Sequence, residues 1–209
     1  MNGPRFLRAG ESGVLVELSS LTEAMALRAA IERSPIPGVT DATSGARTVL
    51  LGFDPAVVER SAVEAAVAAL EIVAAPDGGA GAPVEIPVVY DGDDLASTAE
   101  LLGVSTAELI AAHTGRTWLC AFGGFAPGFG YLASDGWAFE VPRLEAPRTR
   151  VPAGAVGLAG EFSGVYPRES PGGWRLIGRT GLSMWDPART PPALLAAGTR
   201  VRFVEAARG

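Results

Sequence analysis

The chain contains no lysine. All 17 of its basic residues are arginine, which excludes a P-loop of the Gly-Lys-Ser/Thr type, a Schiff-base lysine and a lysine general base. It has one histidine, His113, so neither a multi-histidine metal site nor two-imidazole chemistry is available, and there is no Cys/His cluster for zinc. Its single cysteine, Cys120, leaves no internal disulfide, which suits a reducing compartment. No apolar run approaches the roughly 20 residues that span a bilayer. The basic start Met1-Asn-Gly-Pro-Arg-Phe-Leu-Arg8 has no apolar stretch behind it, unlike a signal peptide. The expectation is a cytoplasmic protein without a membrane partner.

What is present is apolar and unevenly charged. Hydrophobic residues make up 48% of the 209, enough for a sizeable core. Residues 1–140 carry 7 Arg against 18 acids, and residues 141–209 carry 10 Arg against 5. The overall charge of −6 argues against nucleic acid, while the basic C-terminal part suits a small anion, because guanidinium groups grip carboxylate and phosphate bidentately.

Periodicity gives an α+β organisation. Val14–Leu18 reads as a strand, and Ser20 with Glu23 opens a helix to about Arg33. Pro35-Ile-Pro-Gly38 breaks it, and Val39–Thr43 and Arg47–Phe53 read as a strand pair. Asp54-Pro55 suits the start of a helix running to about Val73. This β-α-β-β-α order suggests a small ferredoxin-like unit. Ala74–Ala82 is linker-like, giving a boundary of 1–82 and 83–209. Beyond it come a strand at Val84–Tyr90, a helix from Leu95 to Leu102, and a second capping box, Ser105 with Glu108, for a helix ending at His113-Thr-Gly115. Strands at Thr117–Phe122, Ala155–Ala159, Val165–Tyr166, Trp174–Gly178 and Arg200–Val204, with Gly/Pro turns between, point to a β-barrel or sandwich.

Chemistry-bearing residues concentrate between Gly123 and Thr180. Gly124, Phe125, Pro127, Gly128 and Tyr131 combine free backbone with aromatic rings, which fits a pocket wall or a barrel corner. Arg148 and Arg150 alternate along an extended segment, so both would point to one face and repel unless an anion or an acid such as Glu145 or Glu161 lies between them. Ser170, Gly172, Gly173 and Trp174 fit an anion-binding turn or a simple Ser-capped turn. His113 fits a proton-transfer group or a helix-end cap. Cys120, in an apolar strand, reads as buried and inert.

Seven blocks in order, Glu85–Asp91, His113-Thr, Gly124–Leu132, Pro147–Gly154, Tyr166-Pro, Ser170–Trp174 and Leu176–Thr180, resemble the 5-oxoprolinase B-subunit family. That family is also called allophanate hydrolase subunit 1 and includes inhibitors of a sporulation histidine kinase. The resemblance implies an N-terminal α/β domain, a cyclophilin-like β-barrel, and a second related subunit of the 5-oxoprolinase C-subunit or allophanate hydrolase subunit 2 type. It implies a hydrolase that opens a cyclic amide using ATP and is inactive without its partner. Arg148, Arg150 and Arg179 would orient the anionic substrate, and His113 or Tyr166 would move a proton. Kinase inhibition, or a carboxyltransferase-like role in a biotin-dependent urea carboxylase system, are the alternatives it leaves. The family commonly has Gly-Gln-Thr after Gly160, where this chain has Glu161-Phe162-Ser163.

Overall fold

The computed structural model describes residues 4–72 and 82–207, and the chain divides into two compact units, 1–77 and 78–209. All but Ala82 of the linker-like stretch lies outside the described residues.

The first unit contains β1 (Arg5–Arg8), β2 (Gly13–Glu17), α1 (Leu21–Arg33), β3 (Val39–Ser44), β4 (Thr48–Phe53) and α2 (Arg60–Ala69). Its antiparallel sheet has the order β1-β2-β4-β3. The capping signal is read correctly at α1, where Ser20 Oγ accepts the Glu23 N–H at 3.2 Å. The Glu23 carboxylate takes the N–H of Ser19 rather than that of Ser20, at 2.8 Å. Alternation along β2 and β4 buries Val14, Val16, Val49, Leu51 and Phe53 against Leu27 and Ile31 of α1 and Val63 and Val67 of α2. Two expectations differ. Asp54 caps an isolated turn, accepting the Ala56 N–H at 2.9 Å, and α2 begins only at Arg60. The strand beside β2 is β1, which precedes the first helix, whereas a β-α-β-β-α-β ferredoxin-like unit supplies its last strand after the second helix.

The second unit runs β5 (Val84–Val88), α3 (Leu95–Leu101), α4 (Thr106–Thr114), β6 (Trp118–Gly123), β7 (Gly130–Ala133), β8 (Arg148–Val151), β9 (Ala155–Ala159), β10 (Phe162–Val165), β11 (Ser170–Gly172), β12 (Arg175–Arg179) and β13 (Arg200–Glu205). Seven strands form one sheet, β12-β9-β10-β7-β6-β13-β5, antiparallel except for β13 with β5. Its two ends meet: Val89, just past β5, exchanges two 2.9 Å backbone hydrogen bonds with Arg179 of β12. The sheet is therefore a nearly closed barrel, consistent with the cyclophilin-like expectation. Closure needs glycine at 178, since a Cβ there would lie 2.6 Å from the Val89 carbonyl oxygen.

Ile86, Val88, Leu109, Trp118, Leu132, Val156, Leu158, Ile177, Val201 and Phe203 pack within this unit's main core. All five residues of β9 are buried, because a second core lies on its other face. There Ala155 and Ala159 pack with Phe129, Val151, Tyr166, Trp174 and Leu176. The glycine-rich segments supply this outer layer. No single described helix is long and apolar enough to cross a membrane.

Candidate functional site

The outer layer is an aromatic cluster drawn from four separate segments. Phe122 and Tyr131 stack at 4.4 Å, Tyr131 meets Trp174 at 5.5 Å and Phe162 at 5.7 Å, and Phe129 meets Trp174 edge-on at 5.2 Å. Phe125 and Phe129 both approach Tyr166, at 6.0 and 5.4 Å. Edge-to-face pairs of this kind add specific attraction to area burial. Phe125, Tyr131, Tyr166 and Trp174 are thus brought together in one cluster. Gly172 is required beneath them, because a side chain there would collide with the Tyr166 hydroxyl. Tyr166 is 1% exposed. Burial raises its pKa, and the hydrogen bond from the Trp174 backbone and the charges of Arg143 and Arg148 oppose that rise.

Beside this cluster the loop of Gly124, Phe125, Pro127 and Gly128 lines an open groove of about 480 Å³, with Leu195 and Ala196 opposite. The loop is held by Gly124 N–H to Phe129 O and Phe129 N–H to Ala126 O, at 3.1 and 3.0 Å. Phe125 has φ of 64° and is the one non-glycine residue with positive φ among those described. That conformation costs about 1–3 kcal/mol. The residue is nevertheless 57% exposed, so the loop leaves much of Phe125 open to solvent while its ring meets Phe129 and Tyr166 edge-on.

The arginines are distributed differently from the expected pair on one face. Between Ser170↔Val151 and Gly172↔Arg148 the β8–β11 pairing slips, so Thr149 and Arg150 oppose Pro171 alone. Such a bulge breaks the side-chain alternation. Arg148 instead bonds Asp94 at 2.8 Å, while Arg150 pairs with Glu169 at 2.6 Å. Asp94 also accepts the Leu176 N–H at 2.7 Å, tying the start of α3 to β12. Arg179 grips Asp91 at the barrel closure. Each guanidinium singled out for an anion already holds a carboxylate, and none of those acids is Glu145 or Glu161. Ser170 and Gly172 lie in β11, and the Ser170 Oγ is buried without a hydrogen-bond partner. Gly173 accepts the Leu144 N–H at 2.8 Å.

Sequence reasoning passed over Arg143. It is exposed, makes no ion pair among the described residues, and its charge acts on both Tyr131 and Tyr166. Nothing in its local sequence separates it from the other arginines.

His113 is completely buried. Its Nδ1 lies 2.7 Å from the Tyr90 hydroxyl and its Nε2 2.8 Å from Ser163 Oγ, and Ser163 is 3.5 Å from the Gly157 carbonyl oxygen. Both ring nitrogens are thus hydrogen-bonded, and one arrangement that satisfies them runs Tyr90 O–H to Nδ1, Nε2–H to Ser163, and Ser163 O–H to Gly157. The ring stacks on Phe203 at 4.1 Å. Burial, with help from the charge of Arg116, lowers its pKa to about 3, so the imidazole is neutral near pH 7 and has no face open to a ligand. Cys120 is also buried, and burial pushes its thiol up to about 12. Among the described residues no three His, Cys, Asp or Glu side chains gather as metal ligands.

The sequence and the fold are both shared with known proteins. The chain belongs to the family described as carboxyltransferase domain, subdomain C and D, whose model matches residues 4–195. It is 47% identical over 129 residues to the 5-oxoprolinase B-subunit of Escherichia coli O157:H7, and 45% identical over 124 residues to that of Bacillus subtilis (strain 168). These matches cover 60% and 58% of this chain, but only 59% and 52% of the relatives' own lengths. Among solved structures, TTHA0988 superposes with a TM-score of 0.78 at 37% identity, over 94% of this chain and 41% of that one. The urea carboxylase of Kluyveromyces lactis shares the fold, with a TM-score of 0.78 at 19% identity over 98% of this chain and 22% of its own.

Proposed function

We propose that this chain is one component of a heteromeric, ATP-dependent enzyme that opens a cyclic amide, with 5-oxoproline converted to glutamate as its reaction. The observation that carries this reading is the identity of 39–47% to three proteins named as the B-subunit of 5-oxoprolinase. The site supports a contributory role. Aromatic rings and backbone groups from the glycine loop are available for binding. His113 is enclosed, and Tyr166 is engaged by Trp174, so neither stands ready as an exposed acid or base. A second subunit, of the 5-oxoprolinase C-subunit type, would complete the site and would bring the groups that this chain lacks. ATP binding belongs in this reading to the assembly.

Reconstitution tests it. The chain is combined with its co-purifying partners, and ATP cleavage is followed with and without 5-oxoproline. Substrate-dependent cleavage by the set and none by the chain alone is expected; cleavage that ignores 5-oxoproline counts against the reading. The family model favours a second reading, a carboxyltransferase-like component of a biotin-dependent system. It predicts transfer of a carboxyl group from carboxybiotin by the same assembly, without ATP cleavage tied to 5-oxoproline.

A further inference from the structure

The segment around Arg143 has no regular secondary structure, yet it is fastened on both sides. Val141 exchanges two backbone hydrogen bonds with Gly160, at 2.9 and 2.6 Å. Arg175 Nε donates to the Pro142 carbonyl oxygen at 2.9 Å, and Leu144 N–H donates to Gly173 O at 2.8 Å. The bonds bracket one exposed arginine, so its backbone is ordered before any ligand arrives. Pre-ordering of this kind lowers the entropic cost of binding.

The surroundings define what that arginine could hold. Gly160 leads into β10, whose first residue, Phe162, packs edge-on against Tyr131. Gly173 precedes Trp174, which meets Tyr131 from another side. Tyr131 and Phe162 are each only partly buried, so part of each ring stays open to solvent. The backbone of Arg143 lies between the Gly160 and Gly173 partners of Val141 and Leu144, and its charge opposes the burial-driven rise in the pKa of the Tyr131 and Tyr166 hydroxyls. Arg148, Arg150 and Arg179 are each neutralised by an acid, and Arg143 is not.

We infer that Arg143, with the exposed edges of Tyr131 and Phe162, forms a subsite for the carboxylate of a small, flat-ringed acid. The guanidinium takes the carboxylate in a two-pronged contact, and the ring of the ligand lies against the aromatic edges. This inference rests on the proposed reading, in which the substrate is a cyclic amide carrying one carboxylate. It assigns Arg143 to the group remote from the bond that opens. The subsite orients the substrate and takes no part in bond breaking.

Equilibrium binding to the full chain, measured by titration calorimetry, tests it with three probes: L-5-oxoproline, 2-pyrrolidinone, which lacks the carboxylate, and cyclopentanecarboxylate, which lacks the amide. Both carboxylates are expected to bind at least tenfold more tightly than 2-pyrrolidinone. Arg143→Gln should weaken both at least tenfold and leave 2-pyrrolidinone unchanged. Arg143→Lys should fall between, and Arg150→Gln should change neither carboxylate by more than twofold. Equal binding by wild type and Arg143→Gln overturns the subsite, as does equal binding of 2-pyrrolidinone and 5-oxoproline, or no carboxylate binding at all. Arg143-dependent binding of cyclopentanecarboxylate without binding of 5-oxoproline upholds the subsite and sinks the 5-oxoprolinase reading. Arg143 is exposed and unpaired, so a thermal melt unchanged from wild type confirms that each variant is folded.

Discussion

In the first unit the largest buried side chains are those of Leu27, Leu51 and Phe53, and the sheet has one core, against α1 and α2. The second unit buries Asp94, Thr98, His113, Ser163 and Ser170 as well, and packs β9 on both faces. A sheet with a single core needs only alternation of apolar residues to set its register. A barrel with cores on both sides of a strand must also fix which polar groups face each other across it. Here the pairs that do so are His113 with Tyr90 and Ser163, and Asp94 with Arg148 and Leu176. The regions therefore differ in what a single substitution removes: packing volume in the first, and packing together with a specific polar match in the second.

Substitution at His113 should break this contrast most strongly. His113→Ala removes a buried ring and its hydrogen bonds to Tyr90 and Ser163, and should lower stability by about 3–5 kcal/mol in urea titration. A cost under 1 kcal/mol would mean that the polar chain adds nothing to the barrel. The same residue predicts a pH effect. An unfolded imidazole takes a proton below about pH 6.5, whereas the folded one resists protonation down to about 3. Over that window the unfolded state binds more protons, so stability should fall as pH drops from 6.5 towards 3. Comparing urea midpoints at pH 7 and pH 4.5 checks this, and His113→Gln should show a shallower fall than wild type.

Gly178→Ala tests the closure, by pushing a methyl towards the Val89 carbonyl, and should cost about 1–3 kcal/mol, read as a lower melting temperature. In the first unit Ser20→Ala should cost about 1 kcal/mol through loss of the α1 cap, read as a lower urea midpoint. The smallest effect is expected from Arg150→Ala. Its pair with Glu169 lies in solvent, with side chains 76% and 52% exposed, and pairs of this kind contribute well under 1 kcal/mol. A larger loss there would show that the bulged β8–β11 ribbon leans on its surface charges.

Much of the local structure was legible in the sequence. Ser20 with Glu23 and Ser105 with Glu108 mark the starts of α1 and α4, and Ala155–Ala159 is β9 as read. These signals are local, with cap and partner three residues apart. Asp54-Pro55 misled because the same chemistry starts an isolated turn as readily as a helix. β1, β7 and β11 escaped because they are three or four residues long, and β7 and β11 carry glycine or proline. Phe125, Tyr131 and Trp174 were singled out by their company of glycines, whereas Phe122, Phe129 and Phe162 of the same cluster were not. The fate of the arginines was not, since Asp94 lies 54 residues from Arg148 and Asp91 lies 88 from Arg179. Only the folded barrel brings those acids in, and so separates Arg148, Arg150 and Arg179 from Arg143, which has none among the described residues.

The chain of hydroxyl and imidazole through the second unit has a practical side. With a single histidine in the sequence, nitrogen-15 labelling of that amino acid yields one imidazole and one pair of ring-nitrogen signals. Nε2 is hydrogen-bonded to Ser163, next along β10 from Phe162. A molecule settling against the Phe162 ring from outside should register at this nucleus inside the barrel, giving an unambiguous spectroscopic witness to occupancy of the outer face.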